Sequence, residues 1–345
     1  MRLLGRQKIY TDKKNIDETN IVDVLKKAYV KHRQNVREIQ YLIDYEKGEQ
    51  PLQRGKKIRP DINIQTNSGL PNYIKRFKIG YNWGSTIMLV QRGGEELHDT
   101  DQKKDDKGIA SLNELWKNIE NIGYKDMCMA EFVEICGIGH KMIDIKTDFQ
   151  ENLTGPYNGP LTENYFLDSR YAFCVYNNGP GQKKVLGVSY SKTGGKLSFT
   201  CFTDKKRFDI TDWKIVHKEI NPLGMINIIE YERAFDRTGC FERKIPAIDA
   251  LNIKESDFAN DVAQRTQEIW WGDNVDFKTD EAGNQIRPES GDWILTVSGE
   301  GKTAKIQPLS STFDSGATLS AIENDRITIL QDCYVPIQYS SSGGG

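Results

Sequence analysis

The chain lacks the features that most readily announce chemistry. Across 345 residues there are four histidines, at 32, 98, 140 and 217, in unrelated contexts. No GxSxG elbow, HExxH motif or DxDxDG loop occurs, which removes the usual signatures of serine hydrolases, zinc proteases and EF-hands. The six cysteines (Cys128, Cys136, Cys174, Cys201, Cys240 and Cys333) form no CxxC pair. Cys136 and His140 are four apart on a possible turn, without a second ligand pair at zinc spacing. The expectation is therefore no metal, and buried free thiols in a reducing compartment. No run of ~18 apolar residues exists, so nothing is expected to span a membrane. The start, MRLLGRQKIY, lacks the apolar core of a signal peptide, which predicts cytoplasm-like conditions. No internal repeat is visible.

Two glycine clusters invite a nucleotide and then refuse it. GEGKT (299–303) follows a strand pattern, but the phosphate loop requires a glycine five residues before Gly301, and that position is Thr296. The stretch that should then become a helix carries Pro308, so no helix N-terminus is available to hold the anion. Gly137-Ile138-Gly139 ends a helical pattern and lacks the third glycine of a dinucleotide fingerprint. No cofactor is expected.

What is present is polar and unevenly charged. Hydrophobic residues make up 37% of the chain, and the mean hydropathy of −0.61 is low for a single dense body. Residues 1–60 hold 15 Lys+Arg against 8 Asp+Glu, while residues 241–345 hold 9 against 17. A basic start and an acidic end predict two electrostatic tasks, or attraction between subunits. The length allows two domains or more.

Residues 18–45 have helical spacing at Ile21, Val24, Leu25, Ala28, Tyr29, Val36, Ile39, Leu42 and Ile43, with Lys26, Lys27, Lys31, Arg33 and Arg37 making the helix basic. QRGKKIRPD (53–61) is a basic loop. Residues 69–83 look helical, STIMLVQ reads as a short strand, and 93–108 as a charged loop. Helical patterns return at 111–121 and 125–137. From about 164 to 232 a series of β-like runs is separated by Gly- or Asn-rich turns, of which NNGPG and KTGGK are hairpin signals.

The most informative segment is 246–272. It opens on Pro246 and runs without internal Pro or Gly to Gly272, with a thin apolar seam at Ile248, Leu251, Phe258, Val262 and Ile269. A continuous helix there spans roughly 40 Å and needs a partner along one edge. An acidic, turn-rich stretch follows at 273–292. GDWILTV and KTAKIQPL then read as a hairpin around SGEG, and a second helix is expected over about 314–332, with Asp314 or Ser315 as its cap. The end, CYVPIQYSSSGGG, is rich in Ser and Gly.

The order of these features resembles the portal protein of tailed bacteriophages, of the long-tailed siphophage type. YLIDYEKGEQPLQRG (41–55) is similar to that family's N-terminal segment, and NIQTNSGLPNYIKRFKIGYNWG (63–84) to the Asn-rich turn and helix that follow. IPAIDALNIKESDFANDVAQ (245–264) resembles the start of the first stem helix, and LSAIENDRITILQDCYVPIQYSSSGGG (319–345) the second stem helix entering the tunnel loop. The resemblance implies an α+β fold with an α/β wing over 1–245, its helices followed by an antiparallel β meander. It puts a first stem helix at 246–272, a small β-containing clip at 273–312, a second stem helix at 313–332 and the start of the tunnel loop at 333–345. The chain stops there, so the resemblance implies a form lacking the C-terminal spine helix and crown.

It also implies a non-enzymatic channel: a ring of about twelve copies at one capsid vertex, each copy offering two different faces. Double-stranded DNA passes through during packaging and ejection. Partners are the terminase large subunit, capsid and scaffolding proteins and a head-completion adaptor, with the protein in the virion and, during assembly, in the host cytoplasm. Asp249, Asp257, Asp261, Glu323 and Asp325 become candidates for acidic groups facing the DNA. Trp293, Lys302 and Lys305 become clip docking candidates, with Trp293 equally readable as the core anchor of its hairpin. Pro336, Tyr339 and Ser340 fall in the tunnel loop. The rival is a hydrolase or nucleic-acid-processing enzyme whose carboxylates are mistaken for solvated ones.

Overall fold

The apolar rows of the N-terminal half form one sandwich of helix on sheet. The structure, a computed structural model, describes residues 3, 5–51, 63–90, 107–114, 116–117, 121–145, 162–265, 270–273, 280–282, 303, 305–308 and 315–337. Helix α1 (Ile21–Glu46) buries Ile21, Val24, Leu25, Ala28, Ile39, Leu42 and Ile43, seven of the nine expected apolar positions, and leaves its five cations exposed. It lies on a six-stranded sheet built from β1 (Ile9–Thr11), β4 (Ala172–Asn177), β5 (Lys184–Thr193), β6 (Lys196–Phe202), β7 (Lys206–Thr211) and β8 (Lys214–Ile220), in that spatial order. The alternation in β6 and β7 turns Phe199, Cys201, Phe208 and Ile210 towards α1, where they meet Phe173, Val175, Leu186 and Val188. Burying these side chains at about 25 cal/mol per Å² of apolar surface is the main stabilisation of this layer.

Of the runs expected between about 164 and 232, those forming β4 to β8 make an antiparallel meander, while the first and last belong to a second sheet. KTGGK forms the two-residue turn between β5 and β6, with both Gly194 and Gly195 at positive φ as a primed hairpin turn demands. Two strands were not legible. β1 pairs parallel with β4 at the sheet edge. The run after Gly137, read as a possible turn, is strand β2 (Ile138–Ile145), between β3 (Thr162–Leu167) and β9 (Ile228–Glu232) in a second, antiparallel sheet.

Helix α2 (Leu70–Trp83) packs on α4 (Ile122–Cys136), and α4 packs on β2. Gly137 ends α4 at φ +78, and a Cβ there would sit 2.3 Å from the Arg237 carbonyl oxygen, so only glycine is accommodated. The other described helix in this region is α3 (Lys107–Glu114). STIMLVQ is not a strand where it is described, at 85–90. The Asn113 side chain takes both backbone groups of Leu89 instead, at 2.8 and 2.9 Å, and Ile87, Met88 and Val90 stay exposed.

The chain divides into two compact units. The first holds Met1–Gln50, Gly69–Ile248 and Ile329–Gly345, and the second Pro51–Ser68 and Asp249–Thr328. Helix α5 (Ile245–Arg265) follows a short 3-10 turn at Glu242–Lys244, and α6 (Ser315–Asp332) is the second long helix of the C-terminal part. The expected helix to Gly272 is shorter: Trp270–Asp273 is strand β10, antiparallel to β11 (Lys305–Pro308). Paired tryptophans before a glycine favour a strand over a helical turn. β11 therefore pairs with residues just after the helix; GDWILTV and the SGEG turn lie outside the described residues.

Candidate functional site

In the second unit, the inner face of α5 is polar where the sequence suggested an apolar seam. Leu251 is buried, but Phe258 is only partly buried and Val262 is 46% exposed. Buried beside Leu251 are Asn252, Ser256 and Asn260, one helical turn apart. They hold the extended segment 63–68. The Ser68 amide donates to Asn252 Oδ1 at 2.9 Å, the Thr66 amide to Ser256 Oγ at 3.0 Å, and the Ile64 amide to Asn260 Oδ1 at 2.7 Å. Asn260 returns a bond from Nδ2 to the Ile64 carbonyl at 3.0 Å. The match is metrical: four helical residues rise about 6.0 Å, and two extended residues about 6.6 Å. A search for apolar spacing could not see this ladder; the repeat of Asn, Ser and Asn every fourth residue was the available signal.

Helices α5 and α6 are joined by charge. Lys254 pairs with Asp325 at 2.5 Å, and Arg326 with Glu255 at 2.8 Å. Each helix thus contributes one cation and one anion. Asp325, an expected DNA-facing group, is the one engaged by Lys254. Asp249, Asp257 and Asp261 are partly buried on α5, and Glu323 is exposed on α6. Lys305 is exposed in β11, in register with Asp273. Trp293, Lys302, Tyr339 and Ser340 lie outside the described residues.

The first unit fixes the start of α5 and the end of α6. Lys244 pairs with Asp332, and Arg243 with Asp236. These residues line a cavity of about 350 Å³ together with Arg233 and Tyr334. Helix α6 stops in a Schellman arrangement: the Val335 amide bonds the Leu330 carbonyl at 2.9 Å and the Tyr334 amide the Gln331 carbonyl at 2.8 Å. Tyr334 takes the left-handed position at φ +55, usually glycine's, and Val335 is buried beside it. Lys78 of α2 donates to the Tyr334 carbonyl at 3.0 Å, setting a cation at the negative end of α6. Pro336, exposed, follows where a helix cannot resume.

Buried charge elsewhere in this unit is structural in pattern. Glu230 accepts from Tyr176 at 2.9 Å and pairs with Arg237 at 2.7 Å and His140 at 3.1 Å. Burial pushes its pKa up, but the His140 hydrogen bond, the Arg237 charge and the Tyr176 bond outweigh that and hold it at about 2. An ionised carboxylate accepts only, so His140 Nε2 carries a proton. His140, Cys174 and Glu230 place their ligand atoms within 4.8 Å of one another. A cation there would have to displace Arg237 and ionise a Cys174 thiol whose pKa burial raises. The cluster therefore favours an ion-pair network over a metal centre. Arg6 and Glu242 form a second buried pair, with Glu38 3.4 Å from Arg6. All six cysteines are free, and Cys128 alone is partly exposed.

No described helix is long and apolar enough to cross a membrane. No individual curated protein matches the chain significantly. Residues 28–332 do match a family, described as phage portal protein, SPP1 Gp6-like. That span takes in α1 from Ala28 on, both sheets apart from β1, α5, the β10–β11 pair and all of α6. The chain belongs to the SPP1 Gp6-like phage portal protein family.

Proposed function

We propose that this chain is the subunit of a ring-shaped channel at one capsid vertex, through which duplex DNA is packaged and ejected. The observation that carries the reading is the family match across residues 28–332. The family is a structural one, so catalysis is not needed to explain the chain. In this reading residues up to about 245 form the wing, α5 and α6 the stem, the β10–β11 region part of the clip, and the residues after Cys333 the start of the tunnel loop. The α5–α6 ion pairs support it, because a wall of helices carrying DNA needs lateral ties that do not use up an apolar face. The exposed Val262 and half-buried Phe258 then meet a neighbouring copy. Terminase, capsid and scaffolding proteins and a head-completion adaptor are the partners, with Lys305 and the undescribed Trp293 and Lys302 on the docking side.

Asp249, Asp257, Asp261 and Glu323 are the acidic groups proposed to face the duplex, with Asp325 among them tied to Lys254. Like charges along the wall keep the polyanion from adhering, the reverse of a tight binder. Electron micrographs of the purified protein test the reading: rings with a central hole are expected, and a monomer or small oligomer would favour the enzyme rival. Converting Asp257 and Asp261 to Asn and Glu323 to Gln should leave rings intact and raise their affinity for duplex DNA several-fold at low salt. Unchanged affinity would remove these residues from the channel wall.

A further inference from the structure

The basic face of α1 is not absorbed by that reading. We infer that it is a phosphate-binding track for the backbone of duplex DNA, carried by the first compact unit. Lys26, Lys27, Lys31, Arg33 and Arg37 are all exposed, and none takes part in an ion pair among the described residues. No Asp or Glu occurs between Val24 and Arg37. Glu38, the next acid, is turned to Arg6. His32 within the stretch is buried on the opposite face, stacked on Phe173 with ring centroids 4.5 Å apart.

An ordinary solvated helix intersperses its charges. Here Lys27 and Lys31, and again Arg33 and Arg37, stand one turn apart, a placement that destabilises an isolated helix. The arrangement becomes favourable when a polyanion lies along it. From Lys26 to Arg37 the face covers about 16 Å, and one-turn neighbours are about 6 Å apart, close to the spacing of successive phosphates on one strand. An acidic protein surface fits less well. Such an interface needs an apolar or aromatic centre, and among the exposed residues of this face only Val30 is apolar. The portal reading supplies the identity of the nucleic acid; the track itself rests on the cations.

The test uses the full chain and a fluorescein-labelled 30-base-pair duplex of arbitrary sequence, with binding followed by anisotropy across a salt series. With five phosphate contacts at about −0.9 each, log affinity should fall against log salt with a slope near −4.5, about 20-fold between 0.1 and 0.2 M. The variant K27Q/K31Q/R33Q/R37Q should fold normally and show a slope near −1. The charge-preserving K27R/K31R/R33K/R37K should bind as the unsubstituted chain does. Equal slopes for the glutamine variant and the unsubstituted chain would overturn the assignment, as would no duplex binding at 0.1 M salt. Loss of assembly in the glutamine variant with DNA binding intact would also overturn it, assigning the cations to a neighbouring copy. Particle mass on the same samples separates the two readings. Binding lost with rings intact supports the track; the predicted slopes without rings support the track and count against the channel.

Discussion

His32 is a histidine kept neutral by its surroundings. It is 1% exposed inside α1, and a ring N–H donates to the Arg170 carbonyl at 3.1 Å. Burial pushes its pKa from the ordinary 6.5 down to about 4. The unfolded chain therefore takes up a proton before the folded one does, so stability present above pH 6.5 drains away as pH falls towards 4. Glu230 acts in a lower window: its depressed pKa gives stability above the ordinary 4.5 that is lost as pH falls towards 2. Thermal melts should show a falling midpoint between pH 6.5 and 4 that flattens in His32→Gln, while the drop below 4.5 remains. A midpoint curve identical in the two proteins would show that His32 is not the group titrating. Neither residue's role was legible in the sequence, because four scattered histidines carry no sign of which becomes enclosed. Tyr334 is similar: nothing before the fold marks a tyrosine for a left-handed helix stop.

At the level of elements, the N-terminal helix and the meander were legible because their apolar residues recur at the period of the element that buries them. Helices α5 and α6 were legible in position and wrong in detail. The seam is half-buried at Phe258 and exposed at Val262, and helix gives way to strand by Trp270. What replaces the seam is the Asn252–Ser256–Asn260 ladder, in which side chains stand in for the strand that would otherwise pair the backbone of 63–68. Removing one rung leaves a backbone donor without its partner, at a cost of about 1–3 kcal/mol. Asn260→Ala loses bonds in both directions to Ile64 and should cost most; Ser256→Ala should cost least, since Thr66 keeps its own hydroxyl beside the gap. Denaturant titration, with cleavage of 63–68 by a non-specific protease as the local readout, checks the order. Equal stability and equal cleavage in all three variants would remove the ladder from the account.

At the level of the molecule, a net charge of −2 conceals the separation of charge that shapes the functional reading. On the functions proposed above, the cations of α1 and the acids of α5 and α6 give opposite responses to DNA, adhesion and release. The proposed release depends on copies of the chain closing a ring, because one pair of helices encloses nothing; adhesion on α1 does not. The most direct measurement is the mass of the assembled particle by native mass spectrometry at near-physiological salt. The account predicts a closed species near twelve times the 39.4 kDa chain, with no ladder of larger open polymers. A monomer or dimer that persists as protein concentration is raised would contradict it.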